Sequence, residues 1–224
     1  MKLSKETIEI LKNFSDINQS LLFNEGTKIK TMNSLKNILA HANVKEDFPR
    51  QFAIYNLTEF LGYLSTMSEP ELSFEESHIK VTDQDDQDKY VYANTDYIVS
   101  PEKDIKVTDY SIKVHIKEDV FRMIDKKTTI LQLHDLYLKG CIKTNSIYLC
   151  ASNKKNDSSN EISIKIGEGS QNSNFNVVLK KENLKIIPGN YDISISPKGI
   201  AHFKNDKLDV EYWIALEPDS EYGE

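Results

Sequence analysis

The sequence predicts an α+β chain made of two similar domains, each with two helices packed on antiparallel β-sheets. Three observations carry this expectation. Short runs of alternating apolar and polar residues, the mark of half-buried strands, recur along most of the chain. Four amphipathic segments interrupt them, two in each half. Landmarks also recur at near-constant spacing. Helices begin near Ser4 and Lys117, 113 residues apart, as are the Ile-Lys-Thr runs at Ile29–Thr31 and Ile142–Thr144. Phe52 and Phe175 open strand-then-helix units 123 residues apart, and a polar insertion over Asn153–Asn160 matches the extra ten. Two unrelated α+β domains would leave these landmarks as coincidences.

In chain order, Ser4 caps a helix over Ser4–Phe14, with Glu6 in its first turn near the positive end of the dipole. Leu3, Thr7, Ile10, Leu11 and Phe14 share one side; Lys5 and Lys12 lie almost opposite. Strands follow at Leu21–Asn24, Lys28–Met32, Ile38–Val44 and Phe52–Tyr55. A second helix, Leu57–Met67, buries Leu57, Phe60, Leu61 and Leu64. Further strands are expected at Glu71–Phe74, His78–Thr82 and Lys89–Val99, the last two flanking an acidic hairpin tip at Asp83–Asp88. Ser100–Asp109, with a proline and mixed charge, reads as a connector. The domains are therefore drawn as 1–99 and 110–224, with the connector at 100–109.

The series then restarts. Ile112–Ile116 is a strand and Lys117–Lys127 a helix with Val120, Phe121 and Ile124 inward and Arg122 and Lys126 outward. Strands are expected at Ile130–Leu138, Cys141–Lys143, Ile147–Ala151, Ile162–Ile166 and Phe175–Leu179. A fourth helix, Lys180–Ile187, stops at Pro188-Gly189. Tyr191–Ser196, Ala201–Lys204 and Val210–Leu216 close the chain as strands.

Composition excludes several classes. No apolar run approaches the ~18 residues of a membrane span, so no membrane role is expected. The N-terminus lacks the apolar stretch of a signal peptide, which points to the cytoplasm. Cys141 and Cys150 are too few for a disulfide framework or a cysteine zinc site, and read as buried small hydrophobes. His41, His78, His115, His134 and His202 are scattered, with no metal-ligand spacing, and no metal or cofactor is expected. The acidic run at Asp83–Asp88 lacks the central Gly and terminal Glu of a calcium loop. No nucleophile elbow, phosphate loop or dinucleotide fingerprint appears, so the chain is not expected to be an enzyme. Twenty-eight Lys and Arg against 35 Asp and Glu leave a net charge of −7, which taken alone argues against a nucleic-acid binder.

Charge patterning qualifies that last inference. Three of the four helices turn basic side chains away from their apolar stripe: Lys5 and Lys12, Arg122 and Lys126, Lys181 and Lys185. Any amphipathic helix turns charge toward water, and the second helix has no basic residue, so the pattern by itself is weak.

Collinear segments resolve the matter. Met1-Lys2-Leu3-Ser4-Lys5 with Leu11-Lys12-Asn13-Phe14 resembles the N-terminal helix of the sliding clamps of T4-type bacteriophages, the DNA polymerase processivity factors. Ala53-Ile54-Tyr55-Asn56-Leu57 with Phe60-Leu61-Gly62 and Leu64-Ser65 resembles the same family. So do Pro188-Gly189-Asn190-Tyr191 and Ala215-Leu216-Glu217 with Asp219-Ser220, in the same order and at nearly the same spacing. The resemblance spans the chain but is faint over roughly 68–110 and 140–175.

The resemblance implies a DNA clamp fold closed into a trimeric ring, with helices lining the hole and sheets outside. It implies contact with duplex DNA independent of sequence, because Lys and Arg neutralise phosphates without reading bases. Lys5, Lys12, Arg122, Lys126, Lys181 and Lys185 are then the DNA-facing candidates; Lys2, Lys117, Lys127 and Lys180 stand nearer the rim. A pocket for partner peptides is implied beside the connector, at Met32, Ile105, Val107, Ala215, Leu216 and Pro218. Partners would be the replicative DNA polymerase, an ATP-dependent clamp loader and late-transcription factors. Subunits would join by edge strands, with Lys89–Val99 set against Ser146–Ser152 and Tyr90, Tyr92, Ile147 and Leu149 at the contact. The rival expectation is a non-enzymatic β-rich phage structural or scaffold protein with duplicated domains and no DNA role.

Overall fold

The computed structural model describes residues 1–102, 105–156, 158–169 and 174–222. The chain separates into two compact units, Met1–Asp104 with Leu208–Val210, and Ile105–Lys207 with Glu211–Glu224. The connector expected at 100–109 is shared between them, and its Lys103 and Asp104 lie outside the described residues.

The first unit runs α1 (Lys5–Ile17), β1 (Leu21–Phe23), β2 (Gly26–Met32), β3 (Ile38–Phe48), β4 (Phe52–Ile54), α2 (Leu57–Leu64), β5 (Glu71–Phe74), β6 (His78–Asp83) and β7 (Asp86–Val91). Its strands are ordered β4-β1-β2-β3 and β5-β6-β7, all antiparallel. Every second residue of β3 from Ile38 to Phe48 is buried, which is how a two-residue period becomes an inner face. An aromatic cluster fills the core. Phe23 stacks on Phe52 at 4.5 Å and meets Phe48 edge-on at 4.9 Å, while Phe74 and Tyr92 close on Phe52 at 5.0 and 5.3 Å. Beyond β7 the chain makes only a short 3-10 turn, Thr95–Tyr97, so the strand expected over Lys89–Val99 ends at Val91. The acidic hairpin tip contracts to Gln84 and Asp85, with Gln84 at φ 53°.

The second unit runs β8 (Ile112–Ile116), α3 (Glu118–Leu131), β9 (Asp135–Cys141), β10 (Ser146–Ser152), β11 (Ile162–Glu168), β12 (Phe175–Lys180), β13 (Tyr191–Ser196), β14 (Ile200–Asn205) and β15 (Val210–Ala215). Its strands are ordered β12-β9-β10-β11 and β15-β14-β13-β8. Tyr191 anchors the core against Phe121, Phe203 and Tyr212 at 5.8, 6.2 and 6.2 Å.

The two units repeat one plan. Removing β8, the order helix, four strands, helical segment, three strands occurs twice, and β4-β1-β2-β3 corresponds strand for strand to β12-β9-β10-β11. The helix landmark and the phenylalanine landmark both hold, since Phe52 opens β4 and Phe175 opens β12. The Ile-Lys-Thr match does not: Ile29–Thr31 lies inside β2, whereas Ile142–Thr144 forms the turn between β9 and β10. The counterpart of β2 is β10.

Two other expectations are corrected. The strand drawn over Ile130–Leu138 begins at Asp135, because α3 continues to Leu131 and ends on Gln132 at φ 53°. The helix drawn over Lys180–Ile187 is a single 3-10 turn, Lys181–Asn183. Ile186 and Ile187 are β-branched and stand directly before Pro188, which disfavours helical backbone in the residue ahead of it. Tyrosine hydroxyls replace the missing helical bonds. The Ile187 amide donates to Tyr212 Oη at 3.2 Å, and Tyr191 Oη donates to the Ile187 carbonyl at 2.6 Å.

Candidate nucleic-acid interface

The basic side chains start from how their helices are held. Ser4 caps α1, its hydroxyl oxygen accepting from the Thr7 amide at 3.2 Å. Glu46, from an inward position of β3, accepts from the Ser4 amide and the Thr7 hydroxyl. Burial would raise the Glu46 carboxyl, but these donors outweigh it and hold it below the usual glutamate range. With the N-terminus fixed, Lys5 and Lys12, seven residues apart, emerge on one exposed face. Among the described residues neither meets a carboxylate. Lys2, at the rim, is paired with Glu69 at 2.7 Å.

α3 is held differently. Its N-cap residue, Lys117, offers no capping side chain, and the Glu118 amide donates instead to Asn190 Oδ1 at 3.0 Å. Lys126 is exposed and, among the described residues, meets no carboxylate. Arg122 donates through Nε to Glu118 Oε1 at 2.8 Å, one turn back on the same helix. Lys181 reaches α3 from its flank, 3.2 Å from Asp125 and 2.7 Å from Thr129 Oγ1. Lys180 is committed to buried Asp135. Burial pushes that carboxyl up, but the Lys180 ammonium and the Lys154 amide override it and keep it below the usual aspartate range.

The six candidates therefore divide. Lys5, Lys12 and Lys126 are exposed charges on helices. Arg122 and Lys181 are exposed or half-buried charges already compensated by acids on α3. Lys185 is exposed, but on an irregular segment, so it shares no helix face with Lys181. The shortened segment leaves a cleft of about 300 Å³ against α3, floored by Phe121, Ile124, Leu184 and Ile187. α2 is polar but uncharged outward except for Glu59, so it adds no positive charge.

The peptide-pocket residues are scattered in character. Met32 ends β2 half-buried; Ile105 and Val107 are half-buried in the connector. Ala215 ends β15 half-buried and Pro218 is exposed, but Leu216 is only 9% exposed, with its amide tied to the Gly199 carbonyl at 2.9 Å. Leu216 is thus a core residue. The chain after it pairs along β12 through Glu217 to Val178 and Glu221 to Asn176, each at 2.9 Å.

The interface strands need correction too. β10 is bonded on both sides, to β9 and β11, so it has no free edge, and Ile147 and Leu149 are buried within it. Among the described residues, β11 is an outer strand of that sheet, paired only with β10. β7 is an outer strand of its sheet. Tyr90 packs on Phe60 at 4.8 Å, and Tyr92 donates to the Glu75 carbonyl at 3.1 Å.

One cluster escaped the sequence reading. His115 Nδ1 lies 2.9 Å from Asp192 Oδ1, and its Nε2 3.9 Å from Asp206 Oδ2, all exposed. Asp192, 77 positions on, meets His115 because β8 pairs with β13, and Asp206, 91 positions on, follows β14, which pairs with β13, a signal that no local spacing carries. Cys150 is buried, its thiol pushed up by burial, and Cys141 is partly exposed. Among the described residues no helix is long and apolar enough to cross a membrane.

Comparison with known proteins gives a consistent result. Residues 4–100 match the DNA polymerase processivity factor family, and residues 113–218 match the family described as gp45 sliding clamp, C terminal. The chain is 34% identical to the sliding clamp of Vibrio phage KVP40, covering 97% of this chain and 99% of that one. It is 30% identical to the sliding clamp of Enterobacteria phage T4, with 98% of each covered. Among solved structures it resembles the proliferating cellular nuclear antigen of Entamoeba histolytica, with TM-score 0.70, 14% identity and 95% of each chain covered. It also resembles A. fulgidus PCNA, solved with the C-terminal region of FEN-1 bound, with TM-score 0.69, 12% identity and 96% of each chain covered.

Proposed function

We propose, for a chain that belongs to the sliding-clamp family of DNA polymerase processivity factors, that three copies close around duplex DNA and tether the replicative polymerase there. The chain is a processivity clamp and not a catalyst. The observation that carries the DNA reading is the pair of exposed basic faces on equivalent helices, Lys5 and Lys12 on α1 and Lys126 on α3. Ammonium groups on flexible stems attract phosphates without fixing register, so the duplex stays free to slide. Arg122 and Lys181 contribute less, because Glu118 and Asp125 already neutralise them.

Loading needs ATP, and the ATPase is a separate partner, an ATP-dependent clamp loader. Polymerase, loader and late-transcription factors dock through short apolar peptides beside the connector, at Met32, Ile105, Val107, Ala215 and Pro218. The bound FEN-1 terminus on A. fulgidus PCNA supports peptide docking as the mode. Subunits join through the outer strands β7 and β11, which replaces the pairing with Ser146–Ser152. The protein works in the host cytoplasm.

Two measurements test this reading. Sedimentation is expected to give a species of about 77 kDa from a 25.7 kDa chain. Supplied with its loader, that species extends the polymerase's run length on a primed circular template. A strict monomer at every concentration overturns the ring. Replacing Lys5, Lys12 and Lys126 with Glu is expected to impair loading and sliding while leaving the mass unchanged. Normal synthesis by that variant overturns the DNA-face assignment.

A further inference from the structure

The start of α3 is held by segments far apart in the chain. β8 runs into its cap residue, Lys117, and Asn190, just ahead of β13, accepts from the Glu118 amide on Oδ1 at 3.0 Å. Asp206, just past β14, donates its own amide to the Asn190 carbonyl at 3.1 Å. Each segment also presents one side chain able to ligate a metal: His115 on β8, Asp192 on β13, and Asp206. His115 faces Asp192 in the β8–β13 register, with Nδ1 at 2.9 Å from Oδ1, and its Nε2 lies 3.9 Å from Asp206 Oδ2. With one donor atom taken from each residue, the three lie within 4.8 Å of one another.

One imidazole and two carboxylates make a mixed nitrogen and oxygen donor set. Four-coordinate Zn²⁺, bonded at about 2.0–2.1 Å, spaces its ligand atoms about 3.3 Å apart, within the range these side chains already span. All three are exposed, so small rotations about their side-chain bonds bring them onto one ion without disturbing the core. Water completes the coordination. The two carboxylates cancel the charge of a divalent ion. The ammonium otherwise best placed to compensate them, Lys204 directly opposite Asp192 on β14, is turned instead to Glu211 at 4.0 Å. An imidazole ligand favours Zn²⁺ over Mg²⁺, which takes oxygen donors.

We propose that His115, Asp192 and Asp206 bind a divalent transition-metal ion, with Zn²⁺ as the ion they fit best, and that the ion clasps the three segments holding the start of α3. His115 supplies one ring nitrogen and each aspartate one oxygen. The unfolded chain has no such site, because its ligands come from strands distant in sequence, so binding adds to the stability of the fold. Asp192 lies two residues past the Asn190 cap, and Asp206 is bonded to its carbonyl. Fixing both restricts opening of the Glu118–Asn190 bond and steadies the helix that carries Lys126. The site uses none of the DNA-facing candidates and stands apart from the ring reading.

Calorimetric titration of the full chain, stripped of metal by a chelator, with Zn²⁺ alone tests this. One site per chain is expected. His115→Ala, Asp192→Asn and Asp206→Asn are each expected to weaken it at least tenfold, with unchanged far-UV circular dichroism because the side chains are exposed. Cys141→Ser leaves it as it was. The melting temperature of the wild-type chain rises with free Zn²⁺ while that of His115→Ala stays level, and hydrogen exchange of the Glu118 amide slows when Zn²⁺ is added. If the wild-type chain binds Zn²⁺ no more tightly than His115→Ala, the site is wrong. Equal affinity for Mg²⁺ shows that the imidazole takes no part and overturns the donor set. Zn²⁺ binding at these residues with unchanged Glu118 exchange overturns the clasp while the site stands.

Discussion

Glu46 stands on the inward side of β3, in a register otherwise filled by Ile38, Ala40, Ala42, Val44 and Phe48. A carboxylate there is stable because the start of α1 presents the Ser4 amide and Thr7 hydroxyl to it. Glu46→Ala takes the acceptor from the buried Thr7 hydroxyl and the half-buried Ser4 amide, an expected loss of about 1–3 kcal/mol in urea unfolding. The folded carboxyl titrates below its unfolded value, so its contribution is present at neutral pH and above. It is lost as pH falls through the folded value, and Glu46→Gln is expected to flatten stability across that acid range. Lys180 is a second case. Its ammonium belongs to Asp135, which is 1% exposed, so Lys180→Ala is expected to cost about 1–3 kcal/mol of stability and leave DNA affinity nearly unchanged. A large loss of affinity without loss of stability would return Lys180 to the DNA face.

At the scale of elements, the two long helices solve the same problem with different means. α1 is capped by the adjacent Ser4, whereas α3 is capped by Asn190, 72 residues after Glu118. Asn190→Ala is expected to cost about 1 kcal/mol and to speed hydrogen exchange of the Glu118 amide, with α1 unaffected. Unchanged exchange would show that water satisfies that amide equally well. The fourth helical segment shows how a single proline alters an element. Its lysines recur at helical spacing, but Ile186-Ile187-Pro188 prevents the helix from forming, and Tyr191 and Tyr212 take its backbone bonds. The basic face it was expected to carry is therefore absent, and Lys181 serves α3 instead.

At the scale of the whole molecule, net charge and function point in opposite directions. A chain at −7 is repelled on average by DNA, yet Lys5, Lys12 and Lys126 are exposed on helices, while acids such as Asp85, Asp86 and Asp88 lie on a hairpin. What matters is the local field at the helix face. Removing one phosphate-binding lysine is expected to reduce the slope of log affinity against log salt by about 0.9 for each phosphate no longer neutralised. Titrations of Lys12→Ala against Arg122→Ala should separate an exposed charge from a compensated one. Equal slopes for both would mean that the Glu118 pair opens on binding.

Much of this was legible in the chain itself. The α and β periods, the Ser4 cap and the Phe52 and Phe175 landmarks all arise from neighbours within a turn or a strand, and those local forces act whatever the rest of the chain does. The family resemblance was legible as well, because it rests on collinear residues. What only the tertiary structure decided depends on partners distant in sequence. It showed that Ile-Lys-Thr is a strand in one unit and a turn in the other, and that β10 is an inner strand. It also assigned Lys180 and Lys181 to carboxylates and brought His115 to Asp192. Periodicity gives the direction a side chain leaves the backbone; which group it meets there is set by packing, and for a lysine that decides whether its charge is available to DNA.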